Sequence, residues 1–229
     1  MAWPRDGIAV AIDGPMGSGK STVAREVARR LGFRYVDTGA MYRAVAVAAL
    51  RRGISPDDAA ALARVAREMR LVIEPAAAGG FRTYLDGEDV TAALRSVEVN
   101  RVVSRVARVP GVREALGTLQ RALGASGNVI MEGRDIGSVI LPHARVKVFL
   151  TASPDARARR RQVELAAAGE ALPLEDVRRI EDDDDRAATT REVAPLRVAA
   201  DAVVIDSTDL TVDQVVTQIV ALVNRARGL

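Results

Sequence analysis

The chain has 229 residues, 48% of them apolar, enough to bury one domain-sized core and too many for general disorder. It has no Cys, a single His (His143) and 3% aromatic residues. This excludes disulfide scaffolds, thiolate nucleophiles, Cys-based zinc sites and aromatic platforms for single-stranded nucleic acid, and a net charge of +3 is too small to argue for a nucleic-acid partner.

The first element is Ile8 to Ile12, an unbroken apolar run that predicts a strand buried on both faces, as in a parallel sheet. A Gly-rich break over 13–19 follows, then a helix with Val23, Val27 and Leu31 on one face, closed by Gly32. Tyr35-Val36 predicts a second strand, and Ala40 to Leu50 a second helix before Gly53. Strand and helix alternating at this spacing predict a parallel α/β sheet.

From Ser55 the pattern changes. Pro56 to Met69 reads as a helix. Leu71 to Glu74 and Phe81 to Leu85 read as strands around an Ala/Gly loop, with a turn at Asp86-Gly87 before Glu88 to Val90. Two helices are expected near Glu98–Ala107 and Pro110–Leu123. The α/β rhythm returns with strands at Asn128–Met131 and Val146–Leu150 and an Arg-rich helix over Asp155–Ala168. Residues 169 to 192 are highly charged and contain the acidic run Glu181 to Asp185; a last strand, Val203–Ile205, precedes an amphipathic helix marked by Val212, Val215, Val216, Ile219 and Val223. No stretch nears about 18 uninterrupted apolar residues, so no membrane span is expected. Met1 to Gly7 shows neither an apolar signal core nor a cleavage pattern, which with the absent Cys fits a cytoplasmic protein.

Gly14-Pro15-Met16-Gly17-Ser18-Gly19-Lys20-Ser21 matches G-x-x-x-x-G-K-[ST] and lies between the first strand and the helix that Thr22 continues. Glycines let successive backbone N–H groups converge on one point, and the helix N-terminus adds positive potential there. Lys20 is placed to reach β- and γ-phosphates, and the Ser21 hydroxyl to hold Mg²⁺. ATP or GTP binding is the expectation. Among 33 Lys and Arg, Lys20 and Lys147 are the only Lys. Lys147 sits in Val-Lys-Val-Phe, so an Asn-Lys-x-Asp guanine signature is absent and a small-molecule kinase is favoured. Four Arg lie near the ends of strands or in loops where such sheets bind ligands: Arg43, Arg113, Arg134 and Arg191. Lys147 is expected to be structural and His143 a surface loop residue.

Five stretches occur in order: Ile-Asp-Gly-Pro-x-Gly-Ser-Gly-Lys-Ser (12–21), Asp-Thr-Gly-Ala-Met-Tyr-Arg (37–43), Glu-Gly-Arg-Asp-Ile-Gly (132–137), Arg-Glu-Val-Ala-Pro-Leu (191–196) and Ala-Asp-Ala-Val-Val-Ile-Asp-Ser-Thr (200–208). In these the chain closely resembles the bacterial cytidylate kinases, over nearly its whole length. The resemblance implies a P-loop kinase with a central parallel sheet flanked by helices, a small antiparallel insert for the nucleoside monophosphate and a mobile helical lid. The core would cover about 1–62, 105–157 and 193–229, the insert about 63–104 and the lid about 158–192. The implied reaction is transfer of the γ-phosphoryl group of ATP to CMP, with dCMP as a second acceptor and Mg²⁺ as cofactor, in a monomer with no nucleic-acid or membrane partner.

By position in those motifs, Thr38, Arg43 and Arg134 would meet the CMP phosphate and Tyr42 the sugar. Ser104, Arg113 and Asp135 would read cytosine, and Arg191 would bridge toward the phosphates. Arg157, Arg161 and Ser207 would lie near the ATP adenine and ribose. Lys20, Arg134 and Arg191 are the candidate catalytic groups. Glu132 either orients a Mg²⁺-bound water or is a solvated turn carboxylate. The lid departs from the resembled pattern: Asp184 stands where an Arg is expected and Ala188 where an Asp is expected, with Arg186 a candidate stand-in for that Arg and the acidic run otherwise a solvated helix face. A kinase for UMP, AMP or shikimate, and a P-loop module without catalysis, are the rival readings.

Overall fold

The computed structural model describes residues 7–75, 81–125, 127–167 and 169–228. They form two compact units, one from the chain up to Asp37 and from Arg121 onward, the other from Thr38–Gln120.

In the first unit, β1 (Ala9–Asp13) is buried at every position and is central in a parallel sheet with β2 (Arg34–Asp37), β6 (Val129–Gly133), β7 (Val146–Thr151) and β8 (Val203–Asp206), in the order β2-β6-β1-β7-β8. Central placement explains the unbroken apolar run of β1: both faces are covered. β8 is an edge strand, so within its similar run only Ile205 is buried while Val203 and Val204 are exposed. α1 (Lys20–Leu31) packs on β6 and on α8 (Val212–Arg227). Gly32 ends α1 in the left-handed region (φ 65°), its N–H bonding Ala28 O. α8 starts with a reciprocal cap between Thr211 and Gln214 and buries Val215, Val216, Ile219 and Val223. Val212, grouped with that stripe in the sequence, is exposed in the first turn.

α6 (Pro154–Ala167) and α7 (Leu174–Thr190) pack on each other through Ala158, Leu165 and Val177, with Leu172 and Leu174 at the edge. The charged stretch after 169, for which hydrophobic patterning marks no helix bounds although the resemblance implies a helical lid, is mostly helix. Its apolar face consists of a few residues, too few for a clear helical period.

The second unit is built around α2 (Thr38–Arg51), an Ala-rich helix packed against α3 (Ala59–Glu68), α4 (Val97–Val106), a short 3-10 turn (Ala93–Arg95) and β4 (Phe81–Leu85). β3 (Leu71–Pro75), β4 and β5 (Glu88–Asp89) form the expected antiparallel sheet; the Ala/Gly loop at 76–80 lies outside the described residues. α3 begins three residues later than Pro56 suggests, because the Asp58 carboxylate accepts from Ala61 N–H at 2.9 Å and caps the helix there. The 3-10 turn is unanticipated. α5 (Pro110–Gly124) begins in this unit.

Candidate active site

The 14–19 loop leaves the central strand and turns into α1. Lys20, the first residue of α1, is buried, and its Nζ donates to Pro15 O at 2.6 Å and to Ser18 Oγ at 3.4 Å. Burial and the neighbouring Arg134 hold the ammonium below the ordinary lysine range, against Glu132, Asp13 and Asp184, which favour its charge. Ser207 props the loop from β8: its hydroxyl bonds Ser18 O at 3.3 Å and Thr151 O at 2.9 Å. Arg160 clamps Ser207 through Oγ at 3.0 Å and O at 2.6 Å.

Parallel register lines up three carboxylates at the carboxyl ends of adjacent strands. Asp37 on β2 stands opposite Glu132 on β6, and Asp13 closes β1 beside Gly133. Glu132 is 4% exposed and accepts from Tyr35 Oη at 2.7 Å and from the Ser21 hydroxyl. Burial, then the charge of Asp37, raises its pKa. It is therefore not a solvated turn carboxylate. Asp13 does a different job: its two oxygens accept from Ile136 N–H and Gly137 N–H, each at 2.7 Å. That anchors the π-type turn Ile136–Ile140 which follows Arg134 and Asp135. Burial pushes the Asp13 carboxyl up to about 6 despite those two bonds.

Arg134 pairs with Asp184 at 3.1 Å, and Arg191, which ends α7, pairs with Asp135 at 3.3 Å and donates to Ala194 O. Arg157 donates to Met16 O at 3.0 Å and pairs with Asp185 at 2.7 Å, which puts its guanidinium on the phosphate loop itself. Arg161 pairs instead with Glu164 at 3.1 Å, and the Arg that reaches Ser207 is Arg160. The Arg-rich sequence of α6 offers no local signal to choose among 157, 159, 160 and 161.

Glu181 is buried on α7, and a Cβ on Gly17 would lie 2.4 Å from its Oε1. Burial pushes its carboxyl up to about 7; Asp185 and Asp182 push the same way, while Arg157 and Arg161 oppose. A raised native pKa means the protonated form is the stabilised one. Its contribution is complete below the ordinary 4.5 and is lost as pH rises through about 7. Between those pH values Glu181→Gln should therefore flatten the decline in thermal stability seen in the wild type. Identical pH profiles of the melting temperature for the two proteins would disprove it.

In the second unit, Thr38 is buried at the start of α2. Arg43 donates to Leu94 O at 3.1 Å and to Asn100 Oδ1 at 2.6 Å. The Arg113 guanidinium lies over the Tyr42 ring, 5.5 Å from its centroid, and donates to Ala107 O at 3.2 Å. Ser104 is half-buried on α4. His143 is exposed in a turn, and Lys147 bonds Pro142 O at 2.5 Å and Asp201 at 2.8 Å. Among the described residues, no group of three or more His, Cys, Asp or Glu is arranged to cage a metal, and no helix is long and apolar enough to cross a membrane.

A family model described as cytidylate kinase matches residues 10–225. A cytidylate kinase of Pelotomaculum thermopropionicum is 52% identical over 218 residues, covering 95% of this chain and 96% of that protein. One of Mycolicibacterium paratuberculosis is 48% identical over 223 residues, covering 95% and 96%. Among solved structures, a shikimate kinase from Bacteroides thetaiotaomicron covers 97% of this chain and 99% of its own with a TM-score of 0.50 at 16% identity, a likeness of fold alone.

Proposed function

The chain belongs to the cytidylate kinase family, and from that membership we propose that it transfers the γ-phosphoryl group of ATP to CMP and to dCMP. The observation that carries the reading is the loop 14–21: a buried Lys20 and the start of α1 sit beside Arg134 and a Ser21–Glu132 pair at the carboxyl edge of the sheet.

Loop amides and Lys20 receive the donor phosphates, with Arg157 and Ser207 on the donor side. Thr38, Arg43 and Arg134 hold the acceptor phosphate, Tyr42 the sugar, and Arg191 follows the transferring group. Phosphoryl transfer of this kind needs alignment, water exclusion and matched charge rather than a covalent intermediate. The Ser21 hydroxyl with the Glu132 and Asp37 carboxylates is a hard oxygen set that suits Mg²⁺, an ion that keeps several waters and takes few protein ligands. When bound, Mg²⁺ supplies charge neutralisation at the phosphate oxygens.

Base choice rests on Ser104, Arg113 and Asp135. The Asp135 carboxylate accepts from the exocyclic amine of cytosine, whereas uracil presents a carbonyl oxygen there and leaves two acceptors facing each other. An ADP-release assay across CMP, dCMP, UMP, AMP and shikimate tests the assignment, with turnover expected on CMP and dCMP. Preferred turnover of shikimate or AMP would refute it. Asp135→Ala should reduce the CMP-over-UMP ratio of kcat/KM by roughly tenfold or more, the value of a hydrogen bond to a charged group. An unchanged ratio removes Asp135 from base reading.

A further inference from the structure

α7 carries the departure noted in the lid, Asp184 in place of an Arg. Asp184 Oδ2 accepts from Arg134 Nη2 at 3.1 Å, with the two side chains 22% and 25% exposed. Its charge also reaches Lys20. One residue on, Asp185 pairs with Arg157 and accepts from the Met16 N–H of the phosphate loop at 3.4 Å. One turn earlier Glu181 lies against Gly17. Three carboxylates of a single helix therefore occupy the loop and the guanidinium groups whose chemistry suits phosphate oxygens.

The partners differ in what could replace these carboxylates. Arg157 is 6% exposed and its pair with Asp185 ties α6 to α7, a structural cross-link. Arg134 is more open and stands next to Lys20. A carboxylate there offers one charge and two oxygens. A phosphate monoester offers up to two charges and three oxygens, so it outcompetes the carboxylate on the same guanidinium. An Arg at 184 would instead repel Arg134.

We infer that Asp184 is an internal competitor for the acceptor phosphate: its carboxylate holds Arg134 and the middle of α7 together, and CMP binds by taking Arg134 from it. The inference rests on the assignment of Arg134 to the acceptor phosphate. Asp184 is a positioning residue in this scheme, acting through Arg134, and it sets acceptor affinity at the expense of a partly covered ion pair.

Asp184→Asn keeps the shape and removes the charge. It should lower KM for CMP by roughly two- to fivefold, the span of an ion pair that water still reaches, with kcat little changed. Asp184→Glu preserves the charge and should keep the wild-type KM. Amide hydrogen exchange measured without any nucleotide should be faster over 181–190 in Asp184→Asn than in wild type, because the pair no longer holds the helix. An unchanged or raised KM for CMP in Asp184→Asn, a change confined to kcat, or equal exchange in the two proteins would each overturn the inference. Failure of the wild-type chain to phosphorylate CMP would instead sink the acceptor reading, and the exchange comparison would still judge the tie between Asp184 and Arg134.

Discussion

Lys20→Ala is expected to lower kcat by roughly 10²–10³, the usual cost of losing one preorganised charge-stabilising donor. Lys20 is buried and its Nζ lies 2.6 Å from Pro15 O, folded back along the loop rather than extended into solvent. Desolvation and the repulsion from Arg134 weaken its charge, and bound phosphates restore it. The variant should fold, since Ala is the best helix former and the lost ammonium had been costly to bury. Lys20→Arg should also be poor, because a broad planar guanidinium does not fit a position closed off by Pro15 O and Ser18 Oγ. Steady-state kinetics together with thermal melting decide the matter: kcat within about threefold of wild type in a folded Lys20→Ala would remove Lys20 from the transfer step.

Gly14→Ala should lower stability by about 3 kcal/mol, near the upper end for overpacking. A Cβ there would lie 2.0 Å from the Leu150 carbonyl oxygen, a backbone atom of β7 that cannot swing aside, and φ is +155°. For a chain of this size the melting temperature should fall by about 6–12 °C. Gly32→Ala supplies the comparison. Its φ is also positive, at 65°, with nothing within 4 Å, so it should show only the backbone cost of about 1–2 kcal/mol. Equal melting temperatures for the two variants would mean that the approach of β7 to the loop is unimportant.

The comparison of the two glycines shows which information is local. Gly32 is legible as a helix end from its place after an amphipathic run. The reason Gly14 must be Gly is Leu150, which lies far along the chain. The same division runs through the candidate site. The loop 14–21, its preceding strand and its following helix are written in consecutive residues and are found there. The family is likewise legible in five stretches of local sequence, and the family model matches 10–225. The sequence leaves two roles open for Glu132, because burial is not a property of Met-Glu-Gly-Arg. Pairing with β2, together with the Tyr35 and Ser21 hydroxyls, makes it a buried acceptor. The roles of Arg160 and Asp13 are invisible in the linear sequence for the same reason. Each acts on a partner dozens of residues away, Ser207 in one case and the Ile136 and Gly137 amides in the other.

The class of fold, the strand–loop–helix unit around 14–21, the family and the departure at Asp184 are all legible in the linear sequence. These follow from hydrophobic period, from glycine spacing and from short motifs, all of which operate within about one element of the chain. Only the tertiary structure decided which of the many Arg meet which carboxylates. It put Arg157 and Arg160 on the loop side and Arg161 against Glu164, and it turned the acidic run of α7 from a plain charged stretch into partners for Arg134, Arg157 and Gly17. Charge pairing depends on distance in space and on how far water is excluded, and neither is set until parallel strands and helices from distant segments have packed.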